Sequence, residues 1–72
     1  MVTESDMQVY EYVREYMLEH GYAPTIYQIK KALRKTEDTV NNAIMRCGRA
    51  GMWEYKGRAR AIVIPGIEMI EK

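Results

Sequence analysis

The chain has 72 residues, 47% of them hydrophobic, and a formal net charge of +1, which predicts a single domain with a small hydrophobic core. No apolar run approaches the roughly 20 residues that a membrane-spanning helix needs, and the acidic N-terminal segment lacks the basic region of a signal peptide. With one cysteine and one histidine, neither an internal disulfide nor a Cys/His zinc site is expected, and a reducing, cytoplasmic setting is predicted.

Charge is distributed unevenly along the chain. Residues 1–23 hold five acids and one base, a balance of −4, whereas residues 24–64 hold nine bases and three acids, a balance of +6. This separation favours an acidic back and a basic front that would face a polyanion. Ordinary solvated surface charge is the alternative interpretation.

The first helix is expected to begin after Thr3 and to end at Gly21. The threonine hydroxyl can cap the helix, the carboxylate of Asp6 suits the dipole of the first turn, and glycine suits a left-handed C-terminal cap. This helix is interpreted as scaffold. Helical spacing predicts an apolar face made of Val9, Tyr10, Val13, Met17 and Leu18.

The second helix has a clear start signal, because Thr25 and Gln28 form a capping-box pattern directly after Pro24. Four cations on its outer side or at its end could contact phosphate or simply support the helix dipole. These cations are Lys30, Lys31, Arg34 and Lys35. The predicted buried face consists of Ile26, Ile29, Ala32 and Leu33.

A short turn leads to a third helix over residues 37–50, for which Thr36 is the expected N-cap. Its opposite, polar face makes it the candidate reading helix of a helix-turn-helix. Cys47 is interpreted as a small buried hydrophobe rather than a reactive thiol. The predicted buried face comprises Val40, Ala43, Ile44, Cys47 and Ala50.

Residues 51–64 are expected to form a β-hairpin around a basic turn. Trp53 and Tyr55 share one side of the first strand, and Ile62 and Ile64 share one side of the second. These two sides are expected to cover the helices, in a register that the sequence does not determine.

Together these elements predict an α+β fold, a three-helix winged helix-turn-helix with a C-terminal two-stranded β-hairpin wing. The domain is expected to occupy residues 1–65, with a short tail over residues 66–72. The tail is open to three interpretations: a docked helical turn, a dimer contact, or a frayed end.

The sequence contains no recognisable catalytic motif. It has no nucleophile motif, no acid–base carboxylate pair, no metal-ligand spacing and no glycine-rich phosphate loop. We therefore expect no enzyme activity, cofactor, metal site or small-molecule ligand.

Asn41 and Asn42 are the main candidates for base recognition, because an asparagine side chain matches the N6 and N7 edge of adenine in the major groove. Met45 on the same face could contact a thymine methyl group. Glu37 and Asp38 argue against DNA, since acids repel phosphate, although both suit a first helical turn and a carboxylate can accept from cytosine N4. Polar and basic side chains are expected at the DNA backbone: Thr25, Tyr27, Gln28, Lys31, Lys35, Arg46, Arg49, Lys56, Arg58 and Arg60.

Over residues 3–64 the chain resembles the N-terminal DNA-binding domain of the LexA repressor family, itself a winged helix-turn-helix. The segments that carry the resemblance are Thr3 with Val9–Arg14, Gly21–Thr25 with Ile29, Gly51, and Gly57–Ile62. The resemblance implies repression of transcription through double-stranded DNA. It also implies base-reading positions at Thr36, Asp38, Thr39, Asn41 and Asn42.

The chain departs from that family in several places. Arg34 replaces the usual glycine after helix two, the turn before helix three is one residue shorter, and Gly48 weakens the third helix. The self-cleaving peptidase and dimerisation domain has no counterpart in this sequence, so autoproteolysis is not expected.

The function predicted is that of a sequence-specific double-stranded DNA-binding regulator, with helix 37–50 in the major groove and the wing, residues 56–60, on the backbone or in the minor groove. A homodimer formed through helix one or the tail would allow two half-sites to be read. Two alternatives stay open, a protein–protein interaction module on the same scaffold and a non-specific nucleic-acid accessory protein.

Overall fold

Three α-helices make up most of the chain in the computed structural model, which describes residues 2–55 and 62–64. Helix α1 spans Glu4–His20, α2 spans Ile26–Leu33 and α3 spans Glu37–Arg49. These bounds confirm the three helices predicted from apolar spacing. The tail predicted for residues 66–72 lies outside the described residues.

Each helix begins at the threonine that the sequence indicated. Thr3 Oγ1 accepts a hydrogen bond from the Asp6 amide at 3.1 Å, while the Asp6 carboxylate accepts from the Thr3 amide at 3.0 Å. Thr25 and Gln28 form the same reciprocal capping box, at 3.1 and 2.8 Å. Because these bonds satisfy backbone donors that the first turn leaves unpaired, they fix where the helices start.

The connection from α1 to α2 contains a glycine in the left-handed conformation, followed by a turn that buries two side chains. Gly21 ends α1 with φ = 81°, and its amide donates to the Met17 carbonyl at 2.8 Å. Ala23 and Pro24 are fully buried. The turn therefore contributes to the core and directs the chain into α2.

The connection from α2 to α3 is three residues long, Arg34, Lys35 and Thr36. Arg34 adopts the left-handed conformation (φ = 54°, ψ = 45°) in which glycine is usual, at a cost of roughly 1–2 kcal/mol for a residue with a side chain. The amide of Lys35 donates to the Lys30 carbonyl at 3.0 Å, which ends α2 sharply.

The core lies where the three helices meet, and Trp53 closes it. The indole Nε1 of Trp53 donates to the Ile44 carbonyl at 3.0 Å, and its ring lies 5.4 Å from that of Tyr10. The fully buried hydrophobic residues are Val9, Val13, Met17, Ala23, Ile29, Val40, Ala43, Ile44, Cys47, Trp53, Ile62 and Ile64.

Three residues expected in apolar faces lie at the surface instead. Leu18 is 57% exposed, and Ala32 and Ala50 are also exposed. The buried face of α1 is a narrow one that includes Val9, Val13 and Met17, and Leu18 lies about 100° further round the helix from Met17.

The expected α+β fold class, with its β-hairpin wing, is wrong for the described chain, which is a three-helix fold. Strand pairing is reduced to two facing pairs, Glu54 with Val63 and Tyr55 with Ile62. Two residues per strand are below the usual strand length, and a two-stranded ribbon is marginal by itself. The wing tip, residues 56–61, lies outside the described residues. The neighbouring side chains Trp53, Ile62 and Ile64 are core residues, so the described part of this segment contributes buried side chains beside a ribbon of only two residues per strand.

Within the described ranges, none of the helices combines the length and the hydrophobicity needed to cross a lipid bilayer.

Candidate nucleic-acid interface

Helix α3 buries one face and presents the other to solvent. Val40, Ala43, Ile44 and Cys47 are buried against the rest of the domain. The exposed side carries Asp38, Asn42, Met45 and Arg49, with Asn41 half-buried at its edge. We call these five residues the α3 outer face. Met45 is 49% exposed, so an apolar group stands among polar ones where a base-pair edge would be contacted.

Two of the predicted base-reading residues also build the start of α3. Thr36 Oγ1 accepts from the Thr39 amide at 3.2 Å, and the two hydroxyls lie 2.9 Å apart. Capping α3 is a sufficient structural reason for both threonines, so a DNA contact is not needed to explain them. Their position in the first turn still places them beside the α3 outer face.

The start of α2 combines structural and exposed side chains. Thr25 and Gln28 use their side-chain oxygens in the capping box, which accounts for both residues structurally. Tyr27 is 63% exposed, and the Nζ of Lys31 lies 5.6 Å from the centre of its ring. This cation–π contact keeps a cation and a phenol together at the surface.

Lys30 and Glu37 form an ion pair across the α2–α3 connection, and Glu37 is one of the two acids that argued against DNA binding. Lys30 Nζ lies 3.9 Å from a carboxylate oxygen of Glu37, with 35% and 66% of the two side chains exposed. Such exposed pairs contribute little stability. The lysine nevertheless compensates the charge of Glu37, which leaves Asp38 as the acid on the α3 outer face.

The closest ion pair of the described chain joins α1 to α3, and the sequence did not reveal it. Asp6 is a core residue, with only 1% of its side chain exposed. Its carboxylate accepts from Arg46 Nε at 2.6 Å and from Arg46 Nη2 at 2.9 Å. The hydrogen bonds from Arg46 lower the pKa of Asp6 to about 2, against the opposing effect of burial. One signal could have found it: Asp6 falls in the same helical stripe as Val9 and Val13.

Arg46 and Lys35 were predicted at the DNA backbone, and the structure gives each a partner on α1. Lys35 Nζ donates to Ser5 Oγ at 3.0 Å, one residue before the aspartate that holds Arg46. The first turn of α1 therefore lies beside both the α2–α3 connection and the middle of α3. Arg49 and Lys31 remain exposed.

Cys47 has the environment of a structural residue. Burial raises the pKa of its thiol to about 11, so the thiol stays protonated at neutral pH. Its Sγ lies 3.8 Å from the backbone carbonyl of Asp6. This confirms the predicted buried position.

The remaining predicted backbone contacts, Lys56, Arg58 and Arg60, lie outside the described residues. The predicted interface residues that the structure describes lie on α2, on α3, in their connection and at the N-cap of α2. Among residues 2–55 and 62–64, no three histidine, cysteine or carboxylate side chains cluster in a way that could hold a metal ion.

Comparison of the sequence with protein-family models and with curated proteins gives no match.

Proposed function

We propose that the chain binds double-stranded DNA sequence-specifically and regulates transcription, with α3 in the major groove. The observation that carries this proposal is the α3 outer face: an amide, a methionine and a cation stand exposed beside the acid Asp38, on a helix whose other face is buried. Amide and apolar side chains of this kind read base edges in the major groove. A three-residue connection to a preceding helix is the arrangement in which such a helix usually works.

Charge supports the same orientation. Lys31, Arg34 and Arg49 are exposed on or next to α2 and α3, and residues 24–64 carry a balance of +6. Cations placed around a reading helix supply affinity through phosphate contacts and fix its register on the duplex.

The resemblance to the LexA repressor family's DNA-binding domain leads us to propose repression rather than activation. Within the proposal the protein acts in the cytoplasm, the reducing setting that its single cysteine favours. A monomer reads only a half-site, so we further propose that two copies bind together, paired through α1 or the tail.

A protein-interaction module is the second candidate, and one observation favours it. Leu18 on α1 is 57% exposed, although α1 takes no part in the proposed DNA contact. An exposed leucine taken singly is common on protein surfaces. We therefore rank this function below DNA binding.

The proposal is tested by selecting duplexes from a random library and measuring affinities for the selected and scrambled sequences across a salt series. We expect one preferred motif. Replacing Asn42 with alanine should reduce discrimination at one base pair by roughly 5- to 150-fold, because a bidentate amide contact contributes roughly 1–3 kcal/mol. Asn41→Ala should have a smaller effect, since Asn41 is half-buried.

Gln8→Ala is the matched control, because Gln8 is an exposed amide on α1. It should leave the motif and the affinity unchanged. Strongly salt-dependent binding without a preferred motif would instead support the non-specific accessory function. Absence of DNA binding at physiological salt would reject both DNA functions and leave the interaction module.

A further inference from the structure

Consecutive residues in the first turn of α1 each hold a cation at the edge of the proposed DNA interface. Ser5 accepts from Lys35, and Asp6 accepts from Arg46. The two cations belong to different parts of the helix-turn-helix, its connection and its second helix. This first turn therefore contacts the proposed interface at two points.

Arg46 uses only part of its hydrogen-bonding capacity on Asp6. A guanidinium has five N–H donors, and the aspartate takes one from Nε and one from Nη2. Both hydrogens of Nη1 and the second hydrogen of Nη2 remain, and one hydrogen of each nitrogen lies on the adjacent edge of the planar group. Among residues 2–55 and 62–64, Asp6 is the only hydrogen-bond partner of the Arg46 guanidinium.

The accessibility of the two partners is unequal. The Asp6 side chain is 1% exposed, whereas the Arg46 side chain is 41% exposed. The carboxylate thus faces the core, and the guanidinium reaches solvent on the α1 side of α3, one turn beyond Asn42. Arginine binds phosphate bidentately through such a planar edge.

The Asp6–Arg46 ion pair is not expected to stabilise the fold more than apolar side chains at the same two positions would. Desolvation offsets much of the Coulomb attraction of a buried pair, and apolar replacements are often neutral or stabilising. A cation held in advance, by contrast, loses less conformational freedom when it binds a ligand.

We propose that Arg46 binds a backbone phosphate beside the reading helix and that Asp6 is the positioning residue that holds its guanidinium ready for that contact. The inference rests on the proposed DNA binding and adds α1 to the groups that determine affinity. It also opposes a simpler view, in which Asp6 is merely a nearby acid that repels DNA.

The first experiment measures affinity for a selected duplex as a function of salt. Arg46→Met should make the negative slope of log K against log salt shallower by about 0.9, the value for one lost phosphate contact. Arg14→Met removes the same charge from an exposed site on α1 and should leave the slope unchanged. An unaltered slope in Arg46→Met would overturn the proposal.

The second experiment separates positioning from repulsion. Asp6→Asn should weaken binding by about tenfold with the salt slope retained, because the cation remains but its orientation is lost. Glu4→Gln, a matched loss of an exposed acid in the same turn, should leave binding unchanged or slightly tighter. If Asp6→Asn binds more tightly than the unmodified chain, Asp6 is a repelling acid and the proposal fails.

Circular dichroism at the assay temperature checks that each variant is folded. If Asp6→Asn does not fold, Arg46→Lys replaces it, since lysine keeps the charge without the planar fork. Weaker binding with an unchanged slope supports positioning, and unchanged binding contradicts it. An unmodified chain that does not bind DNA rejects the proposed function itself, whereas normal binding by all variants rejects only this inference.

Discussion

At the scale of the residue, the carboxylate of Asp6 has two structural roles, one within α1 and one between α1 and α3. Asp6 caps the first turn of α1 through the Thr3 amide, and the same group anchors Arg46 of α3. The first role is local: the sequence predicted Asp6 as a carboxylate that suits the dipole of the first turn, and the structure adds its hydrogen bond to the Thr3 amide. The second depends on a residue 40 positions away, and a helical pattern cannot show which distant cation will meet a buried acid.

The depressed pKa of Asp6 predicts a specific loss of stability in acid. Its folded value of about 2 lies below the ordinary 3.8, so the unfolded chain binds the proton more readily. The ionised carboxylate therefore stabilises the fold fully above about pH 5, and this contribution is lost as the pH falls through 4 to 2. About 2 kcal/mol of unfolding free energy is at stake.

Urea denaturation of the unmodified chain and of Asp6→Asn, from pH 6 to pH 2, measures this loss. The difference in stability between the two should shrink as the pH falls, because only the unmodified chain loses the ionised group. Comparing the two proteins removes the titration of the other carboxylates. Parallel stability curves would show that the ionisation of Asp6 makes no pH-dependent contribution to folding.

At the scale of elements, the sequence correctly predicted the helix ends that depend on hydrogen bonds between residues close together in the chain. Thr3, Thr25 and Thr36 were predicted as caps, and each has its hydroxyl on the expected amide. Gly21 was predicted as a left-handed cap and has φ = 81°. Helix starts could therefore be predicted because the bonds that fix them span only three residues.

Predictions that needed tertiary information were less successful. The segment over residues 51–64 has the composition of a hairpin, but its described pairing is limited to two facing residue pairs. Trp53 there is held by the carbonyl of Ile44, a contact with a helix that strand patterning cannot anticipate. The polar side of α3 was predicted correctly, whereas the engagement of Arg46 with α1 was not, because it depends on how two helices pack.

Helix α3 offers a direct test of local propensity within this packing. Gly48 lies inside the helix, and an added Cβ would meet only Trp53 atoms at 3.8 and 3.9 Å, an ordinary contact distance. Gly48→Ala should therefore stabilise the domain by up to about 1 kcal/mol, the difference in helix propensity. The midpoint of urea denaturation should rise accordingly.

Gly51→Ala is the control for this substitution. Gly51 has open space around it but a φ of +78°, which is unfavourable for alanine. It should destabilise the domain by about 1 kcal/mol, so two glycine-to-alanine changes three residues apart should have opposite signs. A loss of stability in Gly48→Ala would mean that the Trp53 contact is tighter than the described geometry.

At the scale of the whole molecule, the acids of α1 can repel DNA only over the distance at which salt does not screen their charge. The domain measures 28 × 24 × 20 Å, and α1 packs on the buried side of α3, which places the exposed acids Glu15 and Glu19 away from the α3 outer face. The screening length is about 8 Å at physiological salt and about 30 Å at 0.01 M salt. The acidic back should therefore repel DNA only when salt is low.

Replacing both Glu15 and Glu19 with glutamine tests this argument. At 0.15 M salt the affinity for a selected duplex should change by less than about twofold, because screening acts within the thickness of the domain. At 0.01 M salt the variant should bind several-fold more tightly, since the repulsion then extends across the molecule. Anisotropy titrations at the two salt concentrations measure both effects. An equal gain at both concentrations would place these acids close to the phosphates, and α1 rather than α3 would then face the DNA.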